Sequence, residues 1–276
     1  MKGKIVVLNV CAAITILWTL FPVYTLFKIA LSSAKGVYTI SLFPVEISLE
    51  SFDAVLTGSF YLCKFFWLQT YNSLIMAFGT VLLVAPISLL AGYALGKIKF
   101  RLKSHFTTLT MLAYLFPQAF IALPIYRIMM FYGLTNSYAG VILVQSAFSA
   151  PFSILLVLDY ATSIPSEIED AARVDGASRM QLFTKIFLPL SIPILITTSI
   201  LNFLTSWNSY LIPLLLLHDE NKFTLPLAIG NFFLTDAVEW NIFMAFGLLY
   251  AIPPLIFYYA FRRFIVGGLM RGALKF

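Results

Sequence analysis

The stretch YNSLIMAFGTVLLVAPISLLAGYALG, residues 71–96, has no charged side chain, and the basic stretch KIKFRLK follows it at 97–103. An apolar run of about 20 residues is long enough to cross the hydrocarbon core of a bilayer as an α-helix. A cluster of lysines and arginines next to such a run is typical of a cytoplasmic loop. This stretch therefore predicts a transmembrane helix whose C-terminal end reaches the cytoplasm.

The composition of the whole chain points to the same class of protein. Of its 276 residues, 61% are hydrophobic and 11% are charged, against about 25% charged residues in a typical soluble domain. A soluble domain of this size cannot bury so much apolar surface, because much of its own surface must face water. The composition therefore excludes a soluble enzyme, and it equally excludes a disordered chain.

Six apolar runs are long enough to span a bilayer. They cover 5–31, 71–96, 106–133, 138–162, 188–217 and 241–262. None of them alternates apolar and polar residues, which argues against the strands of a membrane β-barrel. We therefore predict an all-α polytopic protein with six transmembrane helices, in which 1–276 form one transmembrane domain. Gly92 and Gly96 are spaced for close packing of the second helix against a neighbour.

The distribution of cations predicts the orientation. Thirteen of the 18 lysines and arginines lie at the N-terminus, after the second run, after the fourth run or at the C-terminal end. An excess of Lys and Arg marks the cytoplasmic side of a membrane protein. Both termini, the loop 163–188 and the tail 263–276 are therefore predicted to be cytoplasmic, and 218–240 to lie outside.

Motifs of catalysis and ion coupling are missing from the sequence. The stretch 92–97 is one residue short of a phosphate-binding loop and lacks its Ser or Thr. His105 and His218 are predicted on opposite sides of the membrane, and we find no metal-ligand cluster. We therefore predict a protein that is not an enzyme and binds no metal or cofactor. A secondary carrier is an alternative, but it would require buried ionisable groups and an internal repeat.

The loop 163–188 differs from the other predicted loops, because its pattern is that of two short helices. Ser166 with Glu169 has the spacing of one capping box, and Ser178 with Gln181 has the spacing of a second. Gly176 stands just after the first helix, where a left-handed residue is favoured. One face of the first helix would hold Ile168, Ala171, Ala172 and Asp175, and one face of the second would hold Met180, Phe183 and Phe187.

The charge of this loop favours docking to a partner protein. An amphipathic hairpin lying on the membrane is the alternative, but anionic lipid headgroups would repel its acidic residues. These residues are Glu167, Glu169, Asp170 and Asp175.

The string EDAARVDGA at 169–177, followed by IFLP at 186–189, resembles the EAA loop of ABC-importer permeases. Its Asp-Gly-Ala version is similar to the carbohydrate branch, and to the smaller permease subunit of maltose transporters. The resemblance covers nearly the whole chain through the motifs Asn72-Ser73-Leu74, Pro124-Ile125-Tyr126, Gly133-Leu134, Tyr138-Ala139-Gly140, Trp207-Asn208, Thr224-Leu225-Pro226 and 268–275. One departure is Asp170, where the family usually has the longer Glu.

The resemblance implies a permease in the inner membrane of a prokaryotic cell. Such a permease pairs with a second permease subunit, two cytoplasmic ATPase subunits that use ATP and Mg²⁺, and an extracytoplasmic binding protein for the solute. The residues implied in coupling to the ATPases are Glu167, Glu169, Asp170, Ala171, Ala172, Asp175 and Gly176. The tail, with Arg271 and Lys275, either touches the ATPases too or is a basic anchor.

Polar residues at membrane depth are candidates for the translocation path. They are Gln118, Asn202, Trp207 and Asn208, and Gln145 is a further polar residue at this depth. Hydrogen bonding between helices is the alternative role for such side chains. The solute is expected to be a sugar or oligosaccharide, with glycerol phosphate as the alternative.

The predicted topology can be tested by cysteine labelling. In a chain whose Cys11 and Cys63 are replaced by Ser, Lys222→Cys should react with an impermeant maleimide in intact cells, and Arg173→Cys should react only after lysis. The reverse labelling pattern would overturn the orientation.

Overall fold

The computed structural model describes residues 2–235 and 238–273, and it describes side chains for 4–235 and 238–262. The contacts predicted for Arg271 and Lys275 lie outside the described side chains. Throughout the described residues the regular structure is helical, without a β-strand. By its internal contacts the chain falls into two units, one formed by 1–70 with 227–252 and the other by 71–226 with 253–276.

The helices follow one another in a simple order along the chain. The first part contains α1 (Lys2–Ala30), a 3₁₀-helix (Gly36–Tyr38), α2 (Glu50–Thr57), a 3₁₀-helix (Tyr61–Cys63) and α3 (Phe66–Lys97). The middle contains α4 (Lys103–Leu115), α5 (Gln118–Phe131), α6 (Tyr138–Ser163), α7 (Ser166–Val174), α8 (Arg179–Gln181), a π-helix (Leu182–Phe187), α9 (Leu188–Leu190) and α10 (Ile192–Trp207). The last part contains α11 (Leu211–Leu216), a 3₁₀-helix (Glu220–Lys222), α12 (Leu225–Phe232) and α13 (Trp240–Ala273).

Four helical segments among the described residues are long and apolar enough to cross a membrane. They are Lys4–Ala30, Tyr61–Lys97, Tyr138–Ser163 and Trp240–Arg262. Two bent pairs bring the number to six if each pair is one span: α4 with α5, bent by 98°, and Arg179–Leu190 with α10, bent by 67°. The predicted runs 106–133 and 188–217 are therefore interrupted helices: the first divides between α4 and α5, and the second at Ser191 and again between α10 and α11.

Prolines explain both breaks. Phe116 has an extended backbone (φ −72°, ψ 119°), and it precedes Pro117, whose ring disfavours the helical conformation in the residue before it. At the second break, Ser191 separates α9 from α10, and Pro193 occupies the first turn of α10. A proline in that position supplies no N–H for a helical hydrogen bond to the preceding turn.

The unit formed by 1–70 and 227–252 contains the N-terminal span and an aromatic cluster. The apolar side chains of α1 are exposed over most of its length, as expected for a helix that is apolar all round and surrounded by lipid. The Phe246 ring lies 5.2 Å from Phe66 and 5.5 Å from Phe232, centre to centre. All three side chains are buried, so aromatic packing forms the core of this unit.

In the unit formed by 71–226 and 253–276, α3 and α6 pack closely because α3 carries glycines at the contact. A Cβ atom added to Gly92 would lie 2.5 Å from Cγ1 of Val157, and one added to Gly96 would lie 2.5 Å from Cβ of Ala161. Such distances are far below van der Waals contact, so only glycine permits this approach. The close packing predicted for Gly92 and Gly96 is confirmed.

Three of the sequence motifs meet in this unit at the start of the α3 span. The side-chain amide of Asn72 donates to two backbone carbonyls of the segment 221–225, at 2.8 and 2.9 Å. Its oxygen accepts a hydrogen bond from the Tyr138 hydroxyl at 2.7 Å. Ser73 Oγ accepts a backbone N–H of the same segment at 2.9 Å. These bonds fix the segment before α12 on the ends of α3 and α6.

A glycine-to-alanine pair tests the α3–α6 contact. Gly92→Ala should lower the free energy of unfolding by about 1–3 kcal/mol, because the extra methyl group overfills the contact. Gly247→Ala is the matched control, since no described atom outside its own stretch of helix lies within 4 Å of a Cβ added there. The free energy of unfolding of the control should lie within about 1 kcal/mol of the wild-type value, since alanine favours a helix more than glycine does. Thermal unfolding in detergent measures both, and equal melting temperatures would contradict the packing argument.

Candidate functional site

The short helix α7 begins one residue earlier than a capping box with Ser166 as the N-cap would place it. Pro165 is the N-cap and Ser166 is already helical, and no side chain caps the helix. The capping box predicted for Ser166 and Glu169 is therefore wrong. The Glu169 carboxylate instead faces cations, and that side chain is buried.

Glu169 ties α7 to the end of the α3 span. Its carboxylate lies 3.6 Å from Nζ of Lys97, the last residue of α3, and 3.5 Å from the guanidinium of Arg173. Lys97 Nζ also donates to the backbone carbonyl of Ile164 at 2.6 Å. The Lys97 and Glu169 side chains are only 9% and 7% exposed. A buried pair that lost one partner would leave an uncompensated charge, so this contact strongly favours one position of α7.

The other side of α7 is open to solvent and acidic. Asp170 makes a 3.4 Å ion pair with Arg173, but the two side chains are 64% and 55% exposed. The remaining predicted coupling residues are also exposed, except that Ala172 is half-buried: Glu167, Ala171, Asp175 and Gly176. The structure therefore brings the predicted residues together on α7 and the turn that follows it. Glu169 is buried on one side, and the other acidic residues form an exposed surface.

Gly176 ends α7 in a Schellman motif. Its φ is +82°, a left-handed conformation that glycine adopts without strain. Its N–H donates to the Arg173 carbonyl at 3.0 Å, and the N–H of Ala177 donates to the Ala172 carbonyl at 2.9 Å. Apart from its two chain neighbours, no described atom lies within 4 Å of a Cβ added at Gly176. The sharp turn is as predicted, and it leaves the end of α7 uncovered.

The second short helix begins as predicted but continues differently. Ser178 and Gln181 form a complete capping box, with backbone-to-side-chain distances of 2.8 and 3.3 Å. The following turn is a π-helix, which places Leu182 and Phe187, five residues apart, in the interior. Met180 is 69% exposed. The expectation that Met180 shares a packed face with Phe187 is therefore wrong, because the wider turn changes the register.

A polar cavity of about 250 Å³ lies among α5, α6 and α10. Gln118 and Asn208 line it, whereas the other two candidate path residues are packed in the interior. Asn202 accepts a hydrogen bond from Ser153 of α6 at 3.0 Å. Trp207 is 1% exposed, and its ring stacks on that of Phe203 at 5.9 Å.

Gln145 also lines this cavity; the sequence placed it at membrane depth, but it was not chosen as a path residue. Its oxygen accepts hydrogen bonds from the Ser206 hydroxyl and, at 3.2 Å, from Thr80 of α3. Its side-chain nitrogen is buried and has no hydrogen-bond partner among the described residues. Gln145, Ser149 and Ser153 recur every four residues on α6. That spacing is the sequence signal that marks a polar helix face.

Comparison with known proteins gives consistent matches. Residues 85–271 match the family described as "Binding-protein-dependent transport system inner membrane component". The chain is 31% identical to the diacetylchitobiose uptake system permease protein DasC of Streptomyces coelicolor, over 97% of this chain and 96% of that protein. It is 32% identical to the trehalose/maltose transport system permease protein MalG of Thermococcus litoralis, over 74% of each chain.

A solved structure shares both the fold and some sequence. It is the crystal structure of a bacterial ABC transporter involved in the import of the acidic polysaccharide alginate. One of its chains superposes with a TM-score of 0.76 at 25% identity, over 95% of this chain and 96% of that chain.

The anchoring role of Glu169 can be tested by charge removal. Glu169→Gln leaves Lys97 buried without its carboxylate, so it should lower the free energy of unfolding by about 3 kcal/mol. Asp170→Asn is the matched control, because exposed ion pairs contribute less than about 1 kcal/mol. Thermal unfolding of the two variants in detergent makes the comparison. Equal effects of the two substitutions would contradict the assigned anchor.

Proposed function

Since the chain belongs to the family of binding-protein-dependent transport system inner membrane components, we propose that it forms half of the translocation path of an ATP-driven sugar importer. The family confirms the resemblance inferred from the motif at 169–177. The family and the apolar helices together make the chain a multi-pass membrane protein. A prokaryotic inner membrane is the location that the family description supports.

A carbohydrate is the solute class best supported. The two relatives are permeases of uptake or transport systems for diacetylchitobiose and for trehalose/maltose, and the similar structure belongs to an alginate importer. The polar cavity is lined by amide and hydroxyl groups, which suit sugar hydroxyls, and no Lys or Arg is among its lining residues. Glycerol phosphate would favour cations there, so this lining supports a sugar or oligosaccharide instead.

The observation that carries the mechanism is the geometry of α7. One side is held by the Lys97–Glu169 pair at the end of a membrane helix, and the other presents an exposed acidic surface with a small residue, Ala171, in it. Small side chains permit close approach of a partner. We assign this surface as the contact for an ATPase subunit, and the uncovered turn at Gly176 extends it.

Force applied to α7 has two routes into the membrane region. Lys97 connects the helix to α3, and the π-helix, which packs against α7, leads through α9 into α10. Closure of two ATPase subunits on ATP and Mg²⁺ would therefore move these spans as rigid bodies and switch the access of the path. The chain is the transport subunit, and ATP hydrolysis belongs to the partner chains.

The polar cavity supports a path shared with a second permease subunit. Its volume of about 250 Å³ is below the range of about 300–1,000 Å³ that is usual for ligand pockets. A facing subunit would supply the remaining contacts, so the path lies between two permeases. Within this chain, the side chains of Gln118, Gln145 and Asn208 line the cavity, and the Gln145 nitrogen has no hydrogen-bond partner among the described residues, so it is the donor that a sugar hydroxyl would meet. Asn202 and Trp207 support the wall behind them.

The remaining partner is a binding protein that delivers the solute from outside. A second similar structure is a bacterial alginate ABC transporter in complex with a pentasaccharide-bound periplasmic protein; at 18% identity it supports the fold alone. The family description itself names binding-protein dependence. The tail residues Arg271 and Lys275 are proposed as a second contact with the ATPases.

Charge reversal on α7 tests coupling. Asp170→Lys should abolish most ATP-dependent sugar uptake in vesicles containing the whole importer, because losing a charge pair at an interface costs about 2–5 kcal/mol. Glu220→Lys is the matched control, since it reverses an exposed acid in the 3₁₀-helix 220–222, far along the chain from α7. Co-purification of the ATPase and solute-stimulated hydrolysis are measured for both. Uptake and hydrolysis at wild-type levels in Asp170→Lys would refute the assigned contact, and so would equal losses in the two variants.

A further inference from the structure

A cavity of about 490 Å³ lies where the α3 span ends, and its lining is strongly basic. Four cations from two separate segments line it: Lys97, Lys99, Arg173 and Arg179. The two lysines come from the end of α3 and the residues just after it, and the two arginines come from α7 and α8. Convergence of four like charges on one cavity is unfavourable unless an anion compensates them.

The chain itself supplies only part of that compensation. Glu169 is ion-paired with Lys97 and with Arg173, and Asp170 also pairs with Arg173. In the described part of the chain, no carboxylate lies within 4 Å of the Lys99 or Arg179 cations. Both side chains are exposed and line the cavity, so they can bind an anion from outside.

The position of the cavity indicates which anion it takes. Lys97 is the last residue of a membrane-spanning helix, so the cavity lies at the level where lipid headgroups meet water. Its lining also includes apolar Ile98 and Leu182 and the ring of Tyr93, one turn inside the span. Phosphate binds to clustered Arg and Lys, and basic pockets at the ends of membrane helices bind anionic lipid headgroups.

We propose that the cavity lined by Lys97, Lys99, Arg173 and Arg179 binds the phosphate headgroup of an anionic phospholipid. The acidic surface of α7 faces solvent and is separate from this lining, so a bound lipid would sit behind the helix. The lipid would neutralise Lys99 and Arg179 and brace α7 against the end of α3. This site lies beyond the transport function and does not depend on the solute or on the ATPase contact.

Lipid retention by the full-length chain tests the proposal. The protein is purified in detergent, stripped of lipid, incubated with dioleoylphosphatidylglycerol or dioleoylphosphatidylcholine, and examined by native mass spectrometry. Wild type should retain phosphatidylglycerol preferentially. The double variant Lys99→Gln/Arg179→Gln should bind it about 30-fold more weakly, which corresponds to ~1 kcal/mol for each cation near an anionic lipid.

Two further variants separate charge at the cavity from general effects. Arg101→Gln/Lys185→Gln removes the same charge from exposed positions outside the cavity lining, and should keep wild-type retention. Lys99→Arg/Arg179→Lys keeps the charge in the cavity and should also keep retention, which shows that substitution there does not simply unfold the protein. Equal retention in the cavity variant and the control variant would overturn the proposal.

The other possible occupants give distinct results. Titration of the lipid-free protein with inorganic phosphate, followed by calorimetry, detects a free-anion site. Phosphate binding without preference for phosphatidylglycerol would overturn the lipid assignment. If Lys99→Gln/Arg179→Gln retains phosphatidylglycerol normally but no longer co-purifies with the ATPase subunit, an acidic group of the partner protein fills the cavity. That result would also overturn the lipid assignment.

Discussion

The ion pair between Lys97 and Glu169 joins the apolar membrane helices to the short polar helix α7, and different interactions stabilise these two parts. The apolar helices have their positions set by packing against one another and by lipid, whereas α7 is polar and too short to be stable alone. A helix of nine residues acquires a fixed position only through tertiary contacts. The buried carboxylate supplies that contact at the one point where a membrane span ends, and the carbonyl of Ile164 gives the same lysine a second partner.

This anchor explains how a short helix can act as a rigid element. The Schellman turn at Gly176 satisfies the carbonyls at its C-terminal end, and the capping box at Ser178 starts the next turn without a flexible linker. The π-helix then packs Phe187 against Tyr93 of α3, with ring centres 4.6 Å apart. The loop therefore contacts α3 both before and after the turn at Gly176. A displacement of α7 would be transmitted directly to α3.

Features of this region that neighbouring residues determine were predicted correctly from the sequence. Features that contacts with distant residues determine were not. The left-handed Gly176 and the box of Ser178 with Gln181 are local, and the structure confirms them. The apolar runs are local too, and among the described residues four of the six are continuous helices long enough to cross a membrane. The pattern Ser166-x-x-Glu169 is equally local, but Lys97 lies 72 positions earlier and competes for the same carboxylate. A pattern read within 163–188 cannot include Lys97, so the sequence of the loop alone could not predict this ion pair.

The candidate path shows the same division between local pattern and tertiary context. A polar residue at membrane depth either faces a cavity or forms a hydrogen bond to another helix. The local sequence around the residue does not distinguish these two outcomes. Asn202 and Gln145 each accept a hydroxyl of another helix through the side-chain oxygen, and each has a buried side-chain nitrogen without a hydrogen-bond partner among the described residues. Of the two, Gln145 lines the polar cavity. In an environment without water, an unpaired donor is costly. A site that must exchange partners as a solute passes needs such a donor, because a fully satisfied amide would have to break a bond before it could form one. The unpaired nitrogen alone does not separate Gln145 from Asn202; the separating feature is that Gln145 also lines the polar cavity, where a solute can reach it.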